Sequence, residues 1–141
     1  MPTSVPDKQL ADLRDAAVRA AANAWCPYSR FAVGAALLAE DNRIFGGCNV
    51  ENASSGLTIC AERNAVFQAV AQGQRRFQAM VVYTPTDTPT PPCGACRQVL
   101  AEFGPDFEFI SVCEGPGILR SRVSDLLPFS FTADQLASGV S

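Results

Sequence analysis

The chain has no histidine among its 141 residues. That absence removes the most frequent general base and a preferred zinc ligand, and with them every Ser-His-Asp or Cys-His arrangement. Proton transfer is left to carboxylates, thiols and tyrosines. A basic stripe is missing too: the 11 Lys and Arg residues are scattered among 14 Asp and Glu, for a net charge of −3. Nothing is set up to neutralise a phosphate backbone, so no nucleic-acid partner is expected. No run approaches the roughly 18–20 apolar residues of a membrane span. The Met1–Gln9 start also lacks the charged-then-apolar pattern of a secretory signal. The expectation is a cytoplasmic protein with no membrane partner.

Against these absences stand 48% hydrophobic and 18% charged residues, a balance that builds a buried core, on a chain of a length suited to one domain over residues 1–141. The six cysteines, Cys26, Cys48, Cys60, Cys93, Cys96 and Cys113, are too sparse for a disulfide scaffold and point to free thiols and metal ligation.

Helical spacing of Leu10, Leu13, Ala17 and Ala21 predicts a first helix from Pro6 to about Trp25, ended by Pro27. "FAVGAALLAE" and "RIFGGCNV", separated by "DN", predict a β-hairpin over Phe31–Val50. A second helix follows from Cys60 to about Gly73, then a buried central strand in "FQAMVVYT" and a stiff proline-rich loop, "PTDTPTPP". A third helix runs from Cys93 to Gly104, "FEFISVC" reads as another strand, and the remainder suggests a short fifth strand, a turn of helix at "VSDLL" and a terminal helix capped near Thr132. Strands alternating with helices give a three-layer α/β/α sandwich around a mixed five-stranded sheet.

The chemistry concentrates at two helix starts. Cys93 and Cys96, three apart in "PCGAC", place two sulfurs on one helical face. Alone, that pair suits a metal or a redox dithiol equally. Cys60, opening another helix, adds a third thiolate that dithiol exchange would not require. Three sulfurs leave a tetrahedral zinc one ligand short, the open position that catalysis uses, unless Cys26, Cys48 or Cys113 closes the site and makes it structural. Cys48 and Cys113 read as small core side chains and Cys26 as a loop thiol. With no histidine, Glu62 is the residue available to move a proton; a carboxylate stabilising the first helical turn is the blander alternative, and the position beside a ligand cysteine favours the catalytic role. Three thiolates on a dication leave excess negative charge, which the helix N-termini and a hydrogen bond from Arg63 can offset, although a solvated surface charge would explain Arg63 as well.

Together, "PYSRFAVGAALL", "GGCNVENASSGLTICAERNA", "PPCGACRQ" and "VSDLLPFSF" resemble the small, homotetrameric, zinc-dependent cytidine deaminases, over about Tyr28 to Phe131. Within that resemblance the deaminase signature reads Cys60-x-Glu62 and then Pro92-Cys93-x-x-Cys96. It implies one Zn2+ on Cys60, Cys93 and Cys96, with Glu62 shuttling protons in the hydrolysis of cytidine and deoxycytidine to the uridines and ammonia. It also implies Asn49 and Glu51 as the ribose-binding pair, Phe31 and Ala61 as substrate contacts, and Phe131 as a C-terminal aromatic reaching a neighbour's site in a homotetramer. Ser55 stands where the family often has an aromatic. Competing readings are a deaminase of another aminopyrimidine nucleoside, a polynucleotide-editing deaminase, and a non-enzymatic zinc module.

Overall fold

The computed structural model describes residues 4–104 and 106–139. In chain order the elements are α1 (Asp7–Ala21), β1 (Gly34–Ala39), β2 (Ile44–Cys48), a 3-10 turn (Ser55–Leu57), α2 (Ala61–Ala71), β3 (Phe77–Tyr83), α3 (Gly94–Glu102), β4 (Glu108–Val112), β5 (Leu119–Arg122), α4 (Val123–Leu126) and α5 (Ala133–Gly139). The strands form one sheet in the order β2-β1-β3-β4-β5. Only β3 and β4 run parallel, and the other pairs are antiparallel.

Alternation along the strands distributes side chains to two cores. Ala35, Leu37 and Ala39 of β1 join Met80 and Val82 of β3 against α2, α3 and α4. Ala36 and Leu38, with Ala79, Val81 and Ile110, pack against Leu13, Ala17 and Ala21 of α1. Two faces covered by helices make the three-layer α/β/α arrangement, and β3 lies at the centre of the sheet. Two glycines let the layers close. A Cβ on Gly34 would overlap the Ala17 carbonyl of α1, and one on Gly47 would overlap Ala65 N and Ala61 O of α2, so the start of α2 sits directly on β2.

The segments between the elements depart from expectation in three places. The first helix ends at Ala21 rather than near Trp25. Trp25 is taken by the far end of the hairpin instead: its N–H donates to Asn49 O (3.0 Å) and its carbonyl accepts from Glu51 N–H (2.8 Å). The hairpin correspondingly stops at Cys48, leaving Val50 in isolated bridges with Trp25 and Ile59. Cys48, expected in the core, is half-buried, since β2 is an edge strand; Cys113 is fully buried as expected. The "DN" turn has Asn42 at φ 71°, a conformation asparagine tolerates. Thr132 precedes α5, and its N–H donates to Gln135 Oε1 (2.6 Å), one half of a capping box.

Candidate active site

Two helix starts meet at the same point. Cys60 is the N-cap residue of α2 and Cys93 that of α3, with Cys96 one turn into α3, so unsatisfied N–H groups and positive helix ends face the sulfurs. The Sγ atoms of Cys60 and Cys93 are 3.7 Å apart and those of Cys93 and Cys96 3.3 Å. All three ligand atoms lie within 4.8 Å of one another. Tetrahedral coordination at Zn–S of about 2.3 Å needs sulfurs roughly 3.8 Å apart, so the donor set fits zinc. Cys26, Cys48 and Cys113 lie outside the cluster, and all six cysteines are free. Among the described residues no further cysteine is in place to close the site.

Charge at the sulfurs is unevenly shared. Cys60 is held down to about 5 chiefly by the Cys96 hydrogen bond, with Arg63 and Cys93 assisting against burial, while Cys96 is pushed up as its partner. Arg63 Nη2 reaches Cys60 Sγ at 3.6 Å. Its Nε is buried without a hydrogen-bond partner among the described residues.

Glu62, only 6% exposed, turns inward from the first turn of α2. Burial pushes its carboxyl up to about 7, and the Cys60 charge adds to this against the pull of its own backbone N–H and Arg63. A carboxylate poised near neutrality can both take and return a proton.

The adjoining cavity, about 410 Å3, is lined by Cys60, Ala61 and Glu62 and by Ser29, Asn49 and Glu51, with Phe31, Val33 and Thr58 also on its wall. Asn49 is 8% exposed. It accepts from Val33 N–H (2.9 Å) and donates to Phe31 O (2.7 Å). Glu51 accepts from Tyr28 N–H (3.0 Å), Ser29 N–H (3.1 Å) and the Ser29 hydroxyl. The two residues therefore hold the Tyr28–Val33 segment from beyond the end of β2, rather than sharing the face of a strand. Phe31 is exposed at the mouth, and the Ala61 methyl is fully buried.

Phe131 is not among the residues lining this cavity. Its backbone is clasped by Gln98, which donates to Phe131 O (2.7 Å) and accepts from Phe131 N–H (3.3 Å). The side chain is 57% exposed. Ser55 is exposed in the 3-10 turn.

A further wall escaped the sequence reading: Val82, Thr84, Thr90 and Pro91 complete the cavity. The alternation of Thr84, Thr86, Thr88 and Thr90 within "TPTDTPT" was the available signal, since regularly spaced hydroxyls in a proline-stiffened loop can bond to one another.

A buried carboxylate beside three convergent thiols that could hold a metal ion, all facing one cavity, has the makings of an enzyme site on an α/β/α sandwich. Residues 7–111 match the family profile described as cytidine and deoxycytidylate deaminase zinc-binding region. The cytidine deaminase of Halalkalibacterium halodurans is 48% identical over 121 residues, covering 85% of this chain and 92% of that protein. The cytidine deaminase of Mycobacterium tuberculosis is 45% identical over 132 residues, covering 94% and 96%. A crystal structure of cytidine deaminase from Burkholderia pseudomallei superposes with a TM-score of 0.83 at 47% identity, covering 86% of this chain and 98% of that one. The chain belongs to the cytidine and deoxycytidylate deaminase family.

Proposed function

We infer that this chain is a zinc-dependent hydrolase converting cytidine and 2′-deoxycytidine to uridine and 2′-deoxyuridine with release of ammonia, a reaction of pyrimidine salvage. The observation that carries the reading is Glu62, a buried carboxyl near neutrality two residues from Cys60 and on the wall of the cavity. Cys60, Cys93 and Cys96 would hold the zinc, and Arg63 with the two helix N-termini would temper the charge of three thiolates. When bound, the metal supplies a Lewis acid that activates water at neutral pH.

Glu62 takes a proton from the attacking water and delivers it to N3 as the oxygen adds to C4. It then moves the remaining hydroxyl proton to the amine, and the C4–N bond breaks as ammonia leaves. Asn49 and Glu51 present remaining hydrogen-bonding capacity to ribose hydroxyls, with Phe31 beside the base. The chain works in the cytoplasm as a homotetramer. Phe129, 96% exposed, and Phe131 are the aromatics a neighbouring copy would cover. Purified zinc-loaded protein should convert cytidine to uridine, followed by ultraviolet absorbance, with one ammonia per nucleoside. No conversion of either nucleoside overturns the reading. Sedimentation should show about four chains.

A further inference from the structure

The threonine wall fixes the direction of its own hydrogen bonds. Thr86 Oγ1 donates to the Thr88 carbonyl (2.7 Å). A hydroxyl has one proton, so in the contact between Thr84 and Thr86 (2.8 Å) Thr84 is the donor. Its proton spent, Thr84 accepts in the contact with Thr90 (3.2 Å), and Thr90 is the donor there. The chain of donation runs from Thr90 to Thr84 to Thr86 to a backbone carbonyl, and it leaves Thr90 with lone pairs only.

The position of Thr90 is fixed independently. Ser111, fully buried, accepts from Thr90 N–H (3.1 Å) and donates to Thr90 O (2.7 Å), and prolines flank Thr90 on both sides. Thr84 is 2% exposed, so water competes little at the middle of this chain of hydroxyls. Both threonines line the same cavity as Cys60 and Glu62, the groups beside which C4 of a bound ring would react.

We propose that Thr90 is a specificity-determining residue, its Oγ1 held as an acceptor that takes an N–H from the exocyclic amine of a 4-aminopyrimidine. The proposal deepens the reading of the cavity as a cytidine site and rests on it. A 4-aminopyrimidine offers N–H donors at this point, whereas the 4-oxo product offers only lone pairs. An acceptor wall binds the first and repels the second, which favours substrate over product in the same pocket.

The test compares the Ki of uridine with the KM of cytidine in the zinc-loaded parent and in three variants. Thr90→Val keeps the shape and removes the acceptor. A buried N–H left without a partner should raise cytidine KM about tenfold with a smaller change in kcat, so the ratio of uridine Ki to cytidine KM falls by about that factor. Thr90→Ser should bring the ratio back towards the parent value. Thr86→Val removes the acceptor that orients Thr84; the freed proton lets Thr84 donate to Thr90, Thr90 then donates into the cavity, and uridine should bind more tightly. This variant tests the proposal even if Thr90→Val folds poorly. A ratio unchanged in Thr90→Val and Thr86→Val, with both constants moving together, would make the threonines a buttress for the loop and overturn the proposal. Absence of cytidine turnover by the parent would overturn the functional reading beneath it, a distinguishable result.

Discussion

In the thiolate group Cys60, Glu62, Cys93 and Cys96 sit on the first turns of α2 and α3, fixed by helix geometry and by Gly47, which lets α2 rest on the sheet. Asn49 and Glu51, by contrast, lie past the last residue of β2 and are held by bonds to the Tyr28–Val33 segment, 16 to 23 residues away in sequence. Glu62 is buried, while Tyr28, Ser29 and Phe31 are exposed. The two groups therefore answer to different perturbations: the thiolate group to loss of a ligand and, through Glu62, to pH near 7, and the Asn49–Glu51 group to loss of hydrogen bonds and to acid pH.

The largest effect should come from the thiolate group. Cys96→Ser replaces a thiolate by an un-ionised hydroxyl, and zinc content measured by elemental analysis should fall far below the roughly one ion per chain of a three-thiolate site, with activity at background. Full zinc and full activity in this variant would show that the cluster is not the metal centre.

Asn49→Ala should act less drastically and without touching the metal ligands. It strands the Val33 N–H and the Phe31 carbonyl, costing about 1–3 kcal/mol for each buried group left unpaired, and should raise cytidine KM while zinc content stays as in the parent. Loss of zinc would break the independence of the two groups. Denaturation and metal analysis on one preparation decide between these outcomes.

The smallest effect concerns pH. Hydrogen bonds from the Ser29 hydroxyl, then from the Ser29 and Tyr28 amides, hold the Glu51 carboxyl below its ordinary value of 4.5. A folded-state pKa below the unfolded one contributes stability that is present above about pH 4.5 and lost as pH falls through the folded value. Amide protection at Tyr28 and Ser29, taken relative to the intrinsic exchange rate at each pH, should fall on acidification through that range, and Glu51→Gln should abolish the dependence. An equal loss of protection throughout α2 would mean that this segment does not open separately.

The same contrast explains what could be read in the sequence. Cys60-x-Glu62 and Cys93-x-x-Cys96 are local spacings that helix periodicity converts directly into geometry. The layers and the central β3 likewise follow from apolar periodicity. Trp25, Asn49 and Glu51 were misplaced onto a helix and a strand because their positions depend on bonds between distant segments, which no local pattern encodes. The threonine wall lay hidden in a loop read only as stiff: proline spacing shows where a chain cannot continue a sheet, but not which hydroxyls the resulting turns bring together.

The central claim is that a carboxylate performs the proton transfers that this histidine-free chain cannot assign to an imidazole. Glu62→Gln tests it most directly, with zinc content and cytidine turnover measured on the same sample. The account predicts zinc unchanged and kcat lower by about 10²- to 10⁴-fold, the usual worth of a positioned acid–base group. Turnover within a few-fold of the parent, with zinc retained, would contradict it.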